Sequence, residues 1–202
     1  MNISRRIGLF GGAFDPPHRA HVALAQAAID QLQLDELRIL PTGSAWHKAR
    51  GLSLGEHRLA MARLAFGHLA RARVDERELR REGPTYTIDT LRELQREYPG
   101  AQLVLVIGAD QARAFDQWRE SAEIARLAII SVADRPPADS SSGAVKAAGL
   151  PAGPWVLLSL PLMPESATDI REHVAAGLPI DHLVAPGVAR YIAQHHLYQP
   201  TR

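Results

Sequence analysis

Short continuous apolar runs alternate along this chain with longer stretches in which apolar residues recur every three or four positions. The first pattern predicts strands covered on both faces, the second amphipathic helices. RRIGLF (5–10) is the first run and stops at Gly11-Gly12. Val22, Ala25, Ile29 and Leu32 then fall at helical spacing within 19–33. ELRILPT (36–42) is a second strand, ended by Pro41. SLGEHRLAMARLAFGHL reads as a helix with Ser53 as N-cap and Glu56 completing a capping box. A short strand is expected near Val74, and a helix from about Thr87 until Pro99-Gly100 stops it. AQLVLVIGAD is the strongest strand, with the unbroken apolar character of a central parallel strand, and RLAIISVADR repeats its pattern.

Periodicity is lost in RPPADSSSGAVKAAGLPAGP, where Pro, Ser, Gly and Ala dominate. This reads as a surface loop or weak helix inside the domain, because further elements follow. They are a strand at 155–160, a helix at 168–176 stopped by Gly177 and Pro179, and a helix at 187–195. Strands alternating with helices predict an α/β fold, a Rossmann-like doubly wound parallel sheet with helices on both faces. A single domain over 1–202 is expected, with a C-terminal helical segment at about 164–202.

Composition narrows the chemistry. The chain has 202 residues, 46% of them apolar, which is a globular composition with enough length for a real core. Lys plus Arg is 23 against 22 for Asp plus Glu, a formal charge of +1. No global field favours nucleic acid or an anionic membrane, so a small anion must be held by a local site. The absence of cysteine excludes disulfides, thiolate catalysis and Cys-ligated zinc. No signal-peptide h-region and no apolar run of membrane-spanning length occur. The chain reads as soluble and cytoplasmic, with its oligomeric state open, a homo-oligomer included.

Candidate chemistry gathers first in GLFGGAFDPPHRAH. In doubly wound sheets ligands bind beyond the carboxyl ends of the strands. Here the loop after the first strand is expected at 11–17, where Gly11 and Gly12 let a phosphate approach backbone N–H groups. The next helix presents its N-terminus, with free donors and a positive dipole end. His18 and His21 are three residues apart at an exposed helix start and share a face. Two imidazoles beside a phosphate can donate to its oxygens and become partly protonated as negative charge grows, which suits nucleotidyl transfer. The spacing is neither that of a P-loop nor GxGxxG. A metal site would need Asp15 beside the two histidines, and no protein-held metal is expected.

The same stretch resembles the GGxFxPxHxGH signature of the HxGH/TxGH nucleotidyltransferases. The resemblance extends along almost the whole chain and narrows to the bacterial nicotinate mononucleotide adenylyltransferases. PTGSAWHK resembles their His-Lys segment, and GPTYTIDTLREL their (S/T)YT-x-x-TL segment. VLVIGADQARAFDQWRE resembles their IGxD strand end followed by a tryptophan. ESATDIREHVAAG resembles ISSTxIR, and LVAPGVARYIAQHHLY their closing helix. Two departures stand out: Ala20 replaces the glycine between the histidines, and Ala167 replaces the second serine of ISST. The latter removes one hydroxyl donor.

The resemblance implies transfer of AMP from ATP to nicotinate mononucleotide, directly and in line, with Mg²⁺ accompanying ATP on phosphate oxygens and water. Gly11, Gly12, Ala13, Phe14, Gly108 and Asp110 would line the ATP site, with the Asp110 carboxylate on the sugar hydroxyls or capping a helix. His18 and His21 would bond the phosphates. Lys48 would be a cation on the triphosphate, with His47 a weaker candidate. Ser166, Thr168 and Arg171 would converge on one anion. Backbone N–H groups of Thr85 and Tyr86 would take the nicotinate carboxylate, and Trp118, on a short polar helix, would stack on the pyridine ring. Two other readings stay open. One is a sister adenylyltransferase acting on nicotinamide mononucleotide or phosphopantetheine. The other is a nucleotide-binding protein without turnover.

Overall fold

Residues 103–107 are buried without a break, because a strand with helices over both faces has no side left for water. In the computed structural model, which describes residues 4–43, 51–134, 155–161, 163 and 165–200, they lie in strand β4 (Gln102–Gly108). β4 pairs in parallel with β1 (Arg6–Gly12) and with β5 (Ala128–Asp134), and β5 with β6 (Trp155–Ser159). Ile7 stands opposite Leu103, and Val104 opposite Ile129. With β2 (Glu36–Pro41) and β3 (Ala72–Val74) the order is β3-β2-β1-β4-β5-β6. The chain winds outward from β1 to β3, then returns to the other side of β1. Right-handed crossovers in opposite directions put helices on opposite faces, so this is the expected Rossmann-like doubly wound sheet, with its switch point between β1 and β4.

The helices are α1 (Arg19–Gln31), α2 (Gly55–Phe66), α3 (Arg77–Arg80), α4 (Thr87–Glu97), α5 (Ala109–Arg113), α6 (Ser121–Leu127), α7 (Ala167–Ala175) and α8 (Pro186–Gln194). The sequence pattern misses α3, α5 and α6, which are too short to show a period. Two local expectations are corrected. Gly11 and Gly12 are the last residues of β1, not a loop, and the Thr42 N–H still bonds the Gly12 carbonyl at 2.9 Å. Ser53 does not cap α2: Leu54 holds that position, with no side-chain cap. The backbone of Ser53 serves Asp15 and Arg58 instead. The expected loop at 135–154 lies outside the described residues.

The chain forms two compact units. The first comprises Met1–Gly11, Leu24–Arg38 and Tyr86–Leu162, the second Gly12–Ala23, Ile39–Thr85 and Met163–Arg202. The first unit buries Ile7, Leu9, Val104, Val106, Ile130 and Val132. Gly8 is required there, since a Cβ would stand 2.5 Å from Leu34 Cδ1 and 2.6 Å from Leu37 Cδ1. The edge strand β6 is held by the Gln31 amide, which donates to the Ser159 carbonyl at 2.8 Å and accepts its N–H at 3.0 Å. The second unit buries Met61, Ala62, Ala65 and Phe66 of α2, with Val188 and Ile192 of α8. Gly187 lets these helices approach, because a Cβ would lie 3.2 Å from Leu64 Cδ2.

Candidate active site

The loop at 13–18 belongs to the second unit and is fixed by polar groups beneath it. Phe14 adopts φ 48°, a left-handed conformation uncommon for a bulky residue, and is 1% exposed. Its ring lies where a Cβ on Gly12 would come within 2.9 Å of Cζ. Gly12 is therefore demanded by Phe14. A Cβ on Gly11 would meet nothing within 4 Å, which leaves its backbone open to a ligand. Asp15 is 2% exposed. Its Oδ2 accepts the Ser53 N–H at 3.0 Å and its Oδ1 accepts the Tyr198 hydroxyl at 2.6 Å. Arg58, equally buried, donates through Nη1 to the carbonyls of Ala13 at 3.1 Å and Thr42 at 2.7 Å. Burial raises the Tyr198 hydroxyl, with the Asp15 charge adding to it, so Tyr198 stays a donor.

His18 ends this loop, and His21 lies in the first turn of α1. Their ring centroids are 3.7 Å apart with the planes tilted by 33°. The His18 backbone N–H donates to His21 Nδ1 at 3.2 Å. A ring nitrogen that accepts carries no proton, which leaves the ring proton of His21 on Nε2. Neither ring stands on an exposed helix start as the sequence suggested: His18 is 8% exposed and His21 half-buried. Burial lowers the His18 pKa from 6.5 to about 4, while Glu165 and Asp169 pull it upward. In the free protein His18 is therefore neutral at pH 7, and only an added anion can change that.

The start of α7 reaches the same loop. Ser166 is its N-cap, its hydroxyl accepting the Asp169 N–H at 3.1 Å. Arg171 donates through Nη1 to the Asp15 carbonyl at 2.8 Å and through Nη2 to Thr168 Oγ1 at 3.0 Å. Thr168 and Arg171 are thus joined to each other and to the histidine loop, whereas the Ser166 hydroxyl is engaged as a cap. Ala167 is the first helical residue. Thr85, in the same unit, is half-buried with its hydroxyl 3.3 Å from that of Thr42. Lys48 and His47 lie outside the described residues.

The other expected site residues belong to the first unit. Tyr86 is the N-cap residue of α4, and the Arg119 guanidinium stands 4.6 Å from its ring centroid. Gly108 occupies the N-cap position of α5, and a Cβ there would meet nothing within 4 Å. Asp110 lies in the first turn of α5 without capping it and forms an ion pair with Arg113. Trp118 is not helical: it follows a 3-10 turn (Phe115–Gln117) in extended conformation. It is half-buried, 5.6 Å from the Phe115 ring, which also meets Trp155 edge-on at 5.3 Å.

Sequence reasoning missed Arg58 and Tyr198 and weighed Asp15 only as a metal ligand. For Arg58 a signal existed, since it shares the helical stripe of Met61, Ala62 and Ala65, where a charge is out of place. Tyr198 closes the LVAPGVARYIAQHHLY stretch, but nothing in that motif says that it reaches Asp15. Both Asp15 oxygens are engaged by Tyr198 and Ser53. Among the described residues no group of three or more His, Cys, Asp or Glu side chains is arranged to hold a metal. No helix among them is long and apolar enough to cross a membrane.

Residues 9–173 match the cytidylyltransferase-like family model. A "probable nicotinate-nucleotide adenylyltransferase" of Albidiferax ferrireducens is 52% identical over 195 residues, 96% of this chain and 98% of that one. The protein given the same name in Methylibium petroleiphilum is 42% identical, over 100% of this chain and 97% of the relative. Among solved structures, the nicotinic acid mononucleotide adenylyltransferase of Plasmodium falciparum complexed with NaAD has a TM-score of 0.71 at 18% identity. That match covers 96% of this chain and 97% of the other.

Proposed function

The chain belongs to the cytidylyltransferase-like family, and from that premise we propose that it is a nicotinate-nucleotide adenylyltransferase. It transfers AMP from ATP to the 5′-phosphate of nicotinate mononucleotide, giving nicotinate adenine dinucleotide and pyrophosphate, a step of NAD biosynthesis. The observation that carries this reading is the stacked pair His18 and His21 on a loop whose Asp15 carbonyl is bonded by Arg171. Three phosphate-binding groups are thereby set on one rigid frame. Transfer by direct in-line attack asks the protein only for positioning and charge stabilisation, and this frame supplies both.

The proposed roles join this geometry to the family resemblance. His21 donates Nε2–H to a phosphate oxygen, and His18 gains positive character as the anion arrives. Arg171 binds phosphate through the guanidinium edge that Asp15 and Thr168 leave available, so Arg171→Lys does not substitute for it. Gly11, Gly12, Ala13, Phe14, Gly108, Ser166 and Thr168 shape the ATP site, Asp110 bonds ribose hydroxyls, and Lys48 adds a cation. Thr85 and Tyr86 N–H groups receive the nicotinate carboxylate at the start of α4, whose positive end favours an anion. Trp118 stacks on the pyridine ring. Mg²⁺ would come with ATP as part of the substrate and would offset phosphate charge, since no group of three or more His, Cys, Asp or Glu among the described residues is arranged to hold it. We take 1–202 as one catalytic domain acting in the cytoplasm, where ATP is available. Support comes from relatives matched over nearly their whole length.

The test is a product assay with ATP and three acceptors: nicotinate mononucleotide, nicotinamide mononucleotide and phosphopantetheine. An unmatched buried donor costs about 1–3 kcal/mol, so the acid is expected to be preferred over the amide roughly tenfold to hundredfold in kcat/KM. A ratio near one, or turnover with phosphopantetheine alone, overturns the assignment.

A further inference from the structure

Two buried side-chain atoms near the phosphate frame lack a hydrogen-bond partner among the described residues: His18 Nδ1 and Glu165 Oε2. Such atoms are few in folded proteins, because each gives up water and recovers nothing. These two are complementary, since an imidazole nitrogen can carry a proton and a carboxylate oxygen can accept it. They belong to the same unit and to segments tied together. His18 ends the loop whose Asp15 carbonyl accepts from Arg171 of α7, and Glu165 directly precedes Ser166, the cap of α7. Of the charges acting on His18, Glu165 is the strongest and Asp169 the second. The other titratable neighbour is His21, stacked from α1. Arg171 is directed to the Asp15 carbonyl and Thr168. The roles assigned above make no use of Glu165.

We infer that Glu165 is a positioning residue for His18: when the triphosphate binds, its carboxylate accepts a hydrogen bond from His18 Nδ1–H and holds the ring as an imidazolium that donates Nε2–H to phosphate. This rests on the reading of His18 as a phosphate ligand. Donation from both ring nitrogens at once requires the charged ring. A neutral imidazole protonated on Nδ1 would turn the Nε2 lone pair toward the phosphate and repel it. An anion on each nitrogen offsets the burial that keeps the ring neutral in the free protein, and the proton enters from solvent with the nucleotide. His21 needs no such partner, because its Nδ1 already accepts the His18 backbone N–H. The two histidines then act as one charged and one neutral donor.

The experiment is titration of the His18 ring followed by NMR, in the free protein and with saturating ATP and no acceptor. It is run on wild type, Glu165→Gln and Glu165→Asp. In wild type the free ring is expected to titrate near about 4 and to move upward by about two units or more when ATP is bound. Glu165→Gln is expected to lower the ATP-bound value by about one unit or more, as loss of an adjacent opposite charge does, and Glu165→Asp to restore most of it. The alkaline limb of the kcat–pH profile is expected to move down in Glu165→Gln by the same amount. Identical ATP-bound titration in wild type and Glu165→Gln overturns the role of Glu165 and leaves the phosphate reading intact. A wild-type His18 that ignores ATP overturns both.

Discussion

Asp15 and Asp110 both follow a strand of the sheet within a few residues, yet the first is 2% exposed and the side chain of the second 82% exposed. Asp15 is one of several polar groups that the second unit buries under the loop at 13–18, each satisfied by another: Tyr198 and Ser53 on its carboxylate, Arg58 on the neighbouring carbonyls. Asp110 and Trp118 in the first unit stand at the ends of short elements, Asp110 in solvent and Trp118 half-buried beside the buried Phe115 ring. On the proposed assignment of the site, the difference teaches that function and stability are entangled in one unit and separable in the other. Buried polar networks make a site rigid at the cost of sensitivity to every member. Exposed site residues leave the fold indifferent to their loss.

The sharpest break of this contrast comes from Asp15→Ala. It leaves Arg58 buried without its counter-charge and the Tyr198 hydroxyl without its acceptor, and the expected loss of stability is about 3–5 kcal/mol. Urea unfolding of wild type and variant measures it. A loss below about 1 kcal/mol would mean the network is ornamental. Next comes His21→Ala, expected to lower turnover by about two to three orders of magnitude, the effect of removing one preorganised donor. Near-normal turnover in a folded variant removes His21 from the chemistry.

A pH-dependent signature separates the units as well. His18 is held near about 4 in the native state against 6.5 as its ordinary value. Above pH 6.5 both native and unfolded chains carry it neutral. As pH falls from about 6.5 to about 4 the unfolded chain takes up the proton first, and native stability drops by up to about 3 kcal/mol. In His18→Asn that acid sensitivity is expected to shrink by this amount, and unfolding curves at pH 7 and pH 4 report it. An unchanged slope means that His18 is not buried as a neutral ring.

The first unit is expected to answer differently. Trp118→Ala removes a stacking surface worth about 0.5–1.5 kcal/mol beyond area burial. It should weaken nicotinate and nicotinamide mononucleotides by similar factors, leaving the ratio of their kcat/KM values nearly intact. A ratio that collapses makes Trp118 a selectivity residue. The smallest effect is the change in stability for Asp110→Ala, expected within about 0.5 kcal/mol as for other exposed sites, with its consequence visible only in the KM for ATP. A destabilisation as large as that of Asp15→Ala would erase the distinction between the units.

Much of this molecule was legible in its sequence, and for definite reasons. An unbroken apolar run at 103–107, short and closed by Gly108, reads as a strand buried on both faces, and α1, α4, α7 and α8 announce themselves by period, proline and glycine. His18, His21 and Arg171 were legible as candidate phosphate ligands because residue type and spacing survive in one dimension. Only tertiary structure decided the rest. That Gly12 makes room for the Phe14 ring, that His18 is buried and neutral, and that Tyr198 reaches back to Asp15 across 183 positions of chain all depend on long-range packing. Local pattern encodes which face of an element turns inward. It does not encode what meets that face, and burial, pKa and hydrogen-bond satisfaction are properties of the meeting.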